Sequence, residues 1–166
     1  MAKLRIVADT SVMKAAYVRE TLPYQGNPFD ITRRATPILD AIRLKSVLAF
    51  APETLPYEFF KSLYREAHPR EVAPTIEVDV ADLHALDFMR LRITYTPSDL
   101  IAASAWNLMR EADIPPPDSW FVACAMYHDA ELWFTHRQSD RVVENAQKQH
   151  RKTFVLTEKH FVTDSP

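Results

Sequence analysis

The chain predicts a single-domain α/β protein built on a mostly parallel central sheet. Two observations carry this expectation. Short, largely apolar runs with β-branched residues alternate with stretches of helical periodicity along the whole sequence, as in successive βαβ units with right-handed crossovers. Those runs are continuously apolar rather than alternating, as strands covered on both faces are. A length of 166 residues with 47% hydrophobic content suits one core. No repeat, low-complexity tract or linker divides it, so the domain is expected to occupy 1–166.

Leu4 to Ala8, with Ile6 and Val7, reads as the first strand. Ser11 to about Glu20 reads as a helix, and Tyr24-Gln25-Gly26-Asn27-Pro28 as a turn or loop. Thr36-Pro37 supplies a cap and a first-turn proline for a helix running to Lys45. Ser46 to Ala51, closed by Pro52, is a second buried strand. Leu55, Phe59, Leu63 and Ala67 recur every four residues and predict an amphipathic helix that ends before His68-Pro69, with Glu58 at the edge of its buried face. Between Glu71 and Arg90 the pattern is ambiguous, and Val80, Leu83, Leu86 and Met89 suggest a helix.

Arg92 to Tyr95 alternates like a short strand. Thr96-Pro97-Ser98-Asp99 then reads as a capped helix entrance, with Ile101, Ala105, Leu108 and Met109 on the buried face. Pro115-Pro116-Pro117 ends that helix and Asp118 opens another, whose face is Phe121, Val122, Ala125 and Met126. Glu131 to Thr135 is a further strand and Thr153 to Leu156 the last, separated by a polar helical stretch from Ser139 to His150. Trp106, Trp120 and Trp133 lie in apolar segments and are expected in the core, an exposed Trp120 being the one placed to stack on a base.

Composition excludes several function classes. One cysteine, Cys124, forbids an internal disulfide, and the six histidines have no zinc-ligand spacing. One glycine, Gly26, forbids both the dinucleotide-binding glycine turn and the phosphate-binding P-loop. Any phosphate must therefore be met by side chains or metal ions. Lys3 and Arg5 precede an apolar run that Asp9 interrupts, too soon for the ~7–15-residue apolar region of a signal peptide. No run approaches the ~20 residues of a membrane span. A soluble cytoplasmic protein without membrane contact is expected. A net charge of −2 gives no global basic footprint, so nucleic acid would need a local patch.

The chemistry is expected to lie with carboxylates. In open α/β sheets functional groups gather beyond the carboxyl ends of the strands. Asp9 ends the first strand, Glu58 follows the second by about two helical turns, Asp118 opens a helix, and Asp140 follows the strand at Leu132. Crowded carboxylates raise one another's pKa. A hard divalent cation such as Mg²⁺ or Mn²⁺ reverses that penalty, and with substrate phosphate it forms a site suited to phosphodiester hydrolysis.

Asp9-Thr10-Ser11 after an apolar strand, Pro52 leading to Glu58, Pro117-Asp118-Ser119 opening a helix and Leu132-Trp133-Phe134-Thr135-His136 together resemble the PIN domain family, over roughly Leu4 to Leu156. The resemblance implies a three-layer α/β/α sandwich and a Mg²⁺- or Mn²⁺-dependent ribonuclease, often the toxin of a toxin–antitoxin pair, with an antitoxin protein as partner and dimers common. By position it makes Asp9, Glu58 and Asp118 the catalytic, metal-binding acids, with Thr10, Ser11 and Thr135 in support. At the fourth acidic position the sequence departs from the family: Arg137 stands where relatives carry Asp or Asn, and Asp140 is the nearby acid left for a metal.

Each acid also has a plainer role: Asp9 and Asp118 as helix caps, Glu58 paired with Ser62 or Arg65, Asp140 as a surface acid, and His136 as a hydrogen-bonding side chain rather than a base. Arg137 and Arg141, with Arg33, Arg34, Arg43, Lys45, Lys148 and Lys152, offer a track for RNA phosphates or else solvated helix faces. The alternative to a ribonuclease is a PIN-like protein that no longer cuts and acts through RNA or protein contacts, Arg137 replacing a metal's charge. A haloacid-dehalogenase phosphatase would want a second Asp where Ser11 stands.

Overall fold

The apolar run after Leu4 becomes β1 (Arg5–Ala8), with Ile6 and Val7 fully buried. The computed structural model describes residues 2–70, 72–135 and 140–163. Asp9 ends β1 and caps α1 (Thr10–Tyr17), its Oδ1 accepting the Val12 N–H at 2.8 Å. A helix begins there because an extended Asp (φ −70°, ψ 171°) satisfies one of the free N–H groups of the first turn.

The turn or loop expected at Tyr24 to Pro28 is the turn of a hairpin, whose strands β2 (Thr21–Tyr24) and β3 (Asn27–Asp30) were not expected. Its turn residues Gln25 and Gly26 both have positive φ (49° and 80°), as a two-residue type I′ turn requires. Pro23 faces Pro28 across the ribbon, which hid both strands in the sequence. α2 (Thr32–Arg43) starts five residues earlier than expected, with Ile31 rather than Thr36 at the cap position. Pro37 lies inside it, and Thr36 Oγ1 donates to the Thr32 carbonyl at 2.8 Å instead of capping.

β4 (Leu48–Pro52) leads to α3 (Leu55–Ala67), whose four-residue repeat Leu55, Phe59, Leu63 and Ala67 is buried as expected. The ambiguous stretch does form a helix, α4 (Val78–Met89), but with the opposite face inward. Ala81 and Phe88 are buried, whereas Leu83, Leu86 and Met89 face outward, Met89 at 70% exposure. The reason is one contact: Phe88 stacks on Phe59 of α3 at 4.2 Å between ring centroids, and this sets the rotation of the helix.

β5 (Ile93–Thr96) precedes α5 (Ser98–Glu111). Thr96 does not cap α5, because its hydroxyl is buried against His128 Nε2 at 2.8 Å, and Pro97 takes the cap position. Ile101, Ala105 and Leu108 are buried as expected, but Trp106, one position beyond that stripe, is 61% exposed rather than in the core. α6 (Asp118–His128) follows a cis Pro116–Pro117 bond and is almost wholly buried from Ser119 to Ala125, except that Met126 is turned outward. β6 (Glu131–Phe134), α7 (Asp140–Gln149) and β7 (Thr153–Val155) complete the chain.

The five long-range strands form one parallel sheet in the order β5-β4-β1-β6-β7. From β1 the chain moves outward through β4 to β5, then returns past β1 to β6 and β7. Right-handed crossovers therefore place α1 to α4 on one face and α5 to α7 on the other. The packing agrees: α1 lies against β1, β6, α2 and α3, while α6 lies against β4, β1 and β6 with α5 beside it. The direction of winding reverses between β1 and β6, and in such sheets a crevice opens beyond the strand ends at that reversal. No helix among the described residues is long and apolar enough to cross a membrane.

Phe88 and Leu86 are two residues apart on α4 and should behave oppositely. Phe88→Ala is expected to lower stability by about 3–5 kcal/mol and Leu86→Ala to change it by less than about 0.5 kcal/mol, read by urea unfolding. Equal losses would contradict the inward face assigned to α4.

Candidate functional site

Asp9 stands at the carboxyl end of the middle strand, beside the reversal point. Its N–H donates to the Trp133 carbonyl of β6 at 3.1 Å, which ties the ends of β1 and β6 together. Only 7% of Asp9 is exposed. Glu58 enters from the first turn of α3, and Asp118 is the first residue of α6. The structure brings all three sequence-predicted acids to the wall of a single open cleft of about 770 Å³.

The hydroxyls expected in support are bonded to these acids. Thr10 Oγ1 donates to Glu58 Oε2 at 2.8 Å, a contact across 48 positions that replaces the expected pairing of Glu58 with Ser62 or Arg65. Ser11 Oγ lies 2.8 and 2.9 Å from the two oxygens of Asp9 and 2.8 Å from Thr135 Oγ1. Thr135 thus reaches the acids through Ser11. Asp118 serves no cap: the cap position belongs to Pro117, and α6 has no side-chain cap bond. Its carboxylate is left to the cleft, so the plainer role drops out for Asp118, whereas Asp9 does cap its helix.

Burial lifts the Asp9 carboxyl to a pKa of about 7, against the hydrogen bonds from Val12 and Ser11 that favour its ionised form, and the negative charges of Asp118 and Glu58 add to the rise. Asp118 is pushed up to about 6, first by burial and then by Glu58. The acids therefore feel one another through a poorly solvated wall, the setting in which functional carboxylates are found.

Among the described residues, no three His, Cys, Asp or Glu side chains close on one point as a ready-made cage. The donor set is nevertheless all carboxylate and hydroxyl oxygen. That chemistry fits Mg²⁺ or Mn²⁺, which retain several waters and need only one or two protein carboxylates, better than it fits a four-ligand zinc site. Thr54 Oγ1, on a residue of the same wall, is buried without a hydrogen-bond partner among the described residues.

Trp120 is half-buried on the cleft wall, neither fully in the core nor free, whereas Trp133 is buried. Half of the basic residues expected along a phosphate track are held by acids: Arg33 by Asp30, Arg43 by Asp40 and Asp87, Arg141 by Asp113 and Lys152 by Asp129. Arg137, His136 and the side chain of Asp140 lie outside the described residues. Sequence reasoning missed Lys14, Lys61 and Arg65 in the cleft wall. Lys14 is engaged by Glu66 at 3.0 Å and Glu20 at 3.4 Å. Lys61 and Arg65 were legible, lying three and seven residues after Glu58 and so on its side of α3. No protein-family model and no curated protein matches the chain.

The raised carboxyls fix the sign of a pH effect. Between the ordinary carboxylate range near ~4 and about 7, the folded protein keeps a proton on Asp9 that the unfolded chain has released. That contribution to stability is fully present below the unfolded pKa and is lost as pH rises through about 7. The metal-free chain should therefore lose Tm relative to Asp9→Asn, which retains a capping side chain, as pH rises through this window. A Tm difference independent of pH would show that Asp9 is not protonated there.

Proposed function

We propose that the protein is a metal-dependent endoribonuclease of the PIN type, cutting single-stranded or loop RNA in the cytoplasm. One observation supports this reading above the others. Asp9, Glu58 and Asp118, from three separate elements, meet in one cleft at the winding reversal of a parallel sheet, where burial and mutual repulsion raise Asp9 to about 7 and Asp118 to about 6. The motif order that resembles PIN domains names the same three acids.

On this reading Asp9, Glu58 and Asp118 hold Mg²⁺ or Mn²⁺. When bound, such an ion supplies Lewis-acid polarisation of a phosphoryl oxygen and lowers the pKa of water. The chain's own residues set the stage. Thr10 fixes Glu58 and Ser11 fixes Asp9, so both carboxylates have restricted rotation before substrate arrives. Thr135 positions Ser11 from the end of β6. The half-buried Trp120 offers a ring face to a base beside the cleft. Because Asp9 is recessed, a splayed single strand reaches it more readily than a regular duplex does.

A second reading, a PIN-like protein that binds but does not cut, is favoured by the absence of a closed three-ligand group among the described residues. Titration calorimetry with Mn²⁺ separates the two: heat of binding at millimolar metal supports the nuclease, and none with an intact fold supports the binder.

Mn²⁺-dependent cleavage of an RNA should vanish in Asp9→Asn, and Thr10→Val should reduce metal affinity or rate by about 10- to 100-fold by freeing Glu58. Cleavage by Asp9→Asn at the parental rate would overturn the assignment.

A further inference from the structure

The exposed side of α3 continues away from the acids as a stripe of cations and aromatic rings. Tyr57, Lys61, Tyr64, Arg65 and His68 recur at spacings of three, four and seven residues, and Arg70 follows just beyond the helix. All six are exposed. A second hollow lies along Lys61, Tyr64, Arg65 and Arg70, and it shares Lys61 and Arg65 with the wall of the acid cleft. The two hollows therefore adjoin across Lys61 and Arg65, with the carboxylates in the first and cations and rings along the second. At ~1.5 Å per residue, the helix carries this stripe about 14 Å from Glu58 to Ala67.

What separates the stripe from an ordinary solvated face is the interleaving of its cations with exposed rings along a hollow. Lys14, Arg33, Arg43, Arg110, Arg141 and Lys152 each lie against an acid, whereas Lys45, Arg90 and Arg92 share the unpaired state of the stripe among the described residues. Lys61, Arg65 and Arg70 have no ion pair among the described residues, although the chain as a whole carries more acids than bases. The rings are pre-arranged as well: Tyr64 stacks on His68 at 4.4 Å and 19°, and Lys61 sits over the Tyr57 ring at 5.8 Å. Unpaired cations interleaved with exposed rings suit a chain that has a phosphate at every step and a flat base between steps.

We propose that the α3 stripe is the track along which a single-stranded RNA lies, its phosphates on Lys61, Arg65 and Arg70 and its bases on Tyr57 and Tyr64, delivering one phosphodiester to the acid cleft. The track rests on the ribonuclease reading for its purpose, but binding alone tests it. A duplex buries its base faces and cannot use the tyrosines, and an acidic protein segment has no use for them either. The recognition is of backbone charge and ring faces, so it carries little sequence preference.

The test uses full-length Asp9→Asn protein and fluorescein-labelled oligouridine, with anisotropy measured across a salt series. Each cation removed from the track should reduce the slope of log K against log salt by roughly 0.7, so K61A/R65A/R70A should reduce it by about 2. Tyr57→Ala and Tyr64→Ala should each weaken binding by about 5- to 100-fold at unchanged slope, with Tyr64→Phe restoring affinity and Arg65→Lys preserving the slope. An unchanged slope in the triple variant overturns the track. So does oligoglutamate binding as tightly as oligouridine, because a mere polyanion surface does not need the rings. Cleavage assays on the parental chain with Mn²⁺ stand apart: absent cleavage with these slope changes present sinks the nuclease and leaves the track.

Discussion

A buried carboxylate at the end of the central strand is the constraint on which the rest of the molecule depends. Asp9 is held where β1 meets β6, almost out of contact with water, and its first oxygen is committed to the start of α1. An acid in that position is costly when ionised and harmless when protonated. The fold tolerates it by surrounding it with donors, the Val12 N–H and the Ser11 hydroxyl, which partly offset the desolvation. Bringing Asp118 and Glu58 into the same wall adds to the cost rather than relieving it. Their mutual repulsion is a cost that no single acid carries, which is why their convergence supports a chemical role more strongly than any of them alone.

The parallel sheet makes that convergence geometrically cheap. With β1 in the middle and the chain winding one way to β5 and the other way to β7, the ends of β1, β4 and β6 open on one side. α3 rises from the end of β4 and α6 starts at the same rim, so each helix presents its first-turn acid there. The positive ends of both helices point toward the acids and moderate their repulsion. The same rim then passes into the exposed side of α3, so the acid cleft and the cationic stripe adjoin along one helix.

Much of this was legible in the sequence where the signal was local. Ile6-Val7 followed by Asp9, and Asp118 after three prolines, announce a buried strand end and a helix start within a few residues. The Leu55-Phe59-Leu63-Ala67 repeat fixes the face of α3 and hence the side on which Glu58 lies. What was not legible depends on partners distant in the chain. The Thr10–Glu58 bond joins residues 48 apart, and the outward turn of Leu83, Leu86 and Met89 follows from a ring stack between Phe59 and Phe88. The β2–β3 hairpin was hidden by prolines that an isolated ribbon tolerates and a central sheet does not. Pairing among charges was equally invisible: composition cannot say that Arg43 and Arg141 are held by acids while Lys61 and Arg65 are not.

On the metal-dependent reading, the capping role of Asp9 bears on which ions the cleft could discriminate. Its Oδ1 accepts the Val12 N–H and both oxygens lie within reach of the one Ser11 hydroxyl, so Oδ2 is the less engaged of the two oxygens. Large cations such as Ca²⁺ often draw on carboxylates in a bidentate grip, whereas small octahedral ions accept single oxygens and fill the remaining positions with water. On that reading, a helix cap, a device of ordinary secondary structure, would favour ions that accept a single Asp9 oxygen over those that need the pair.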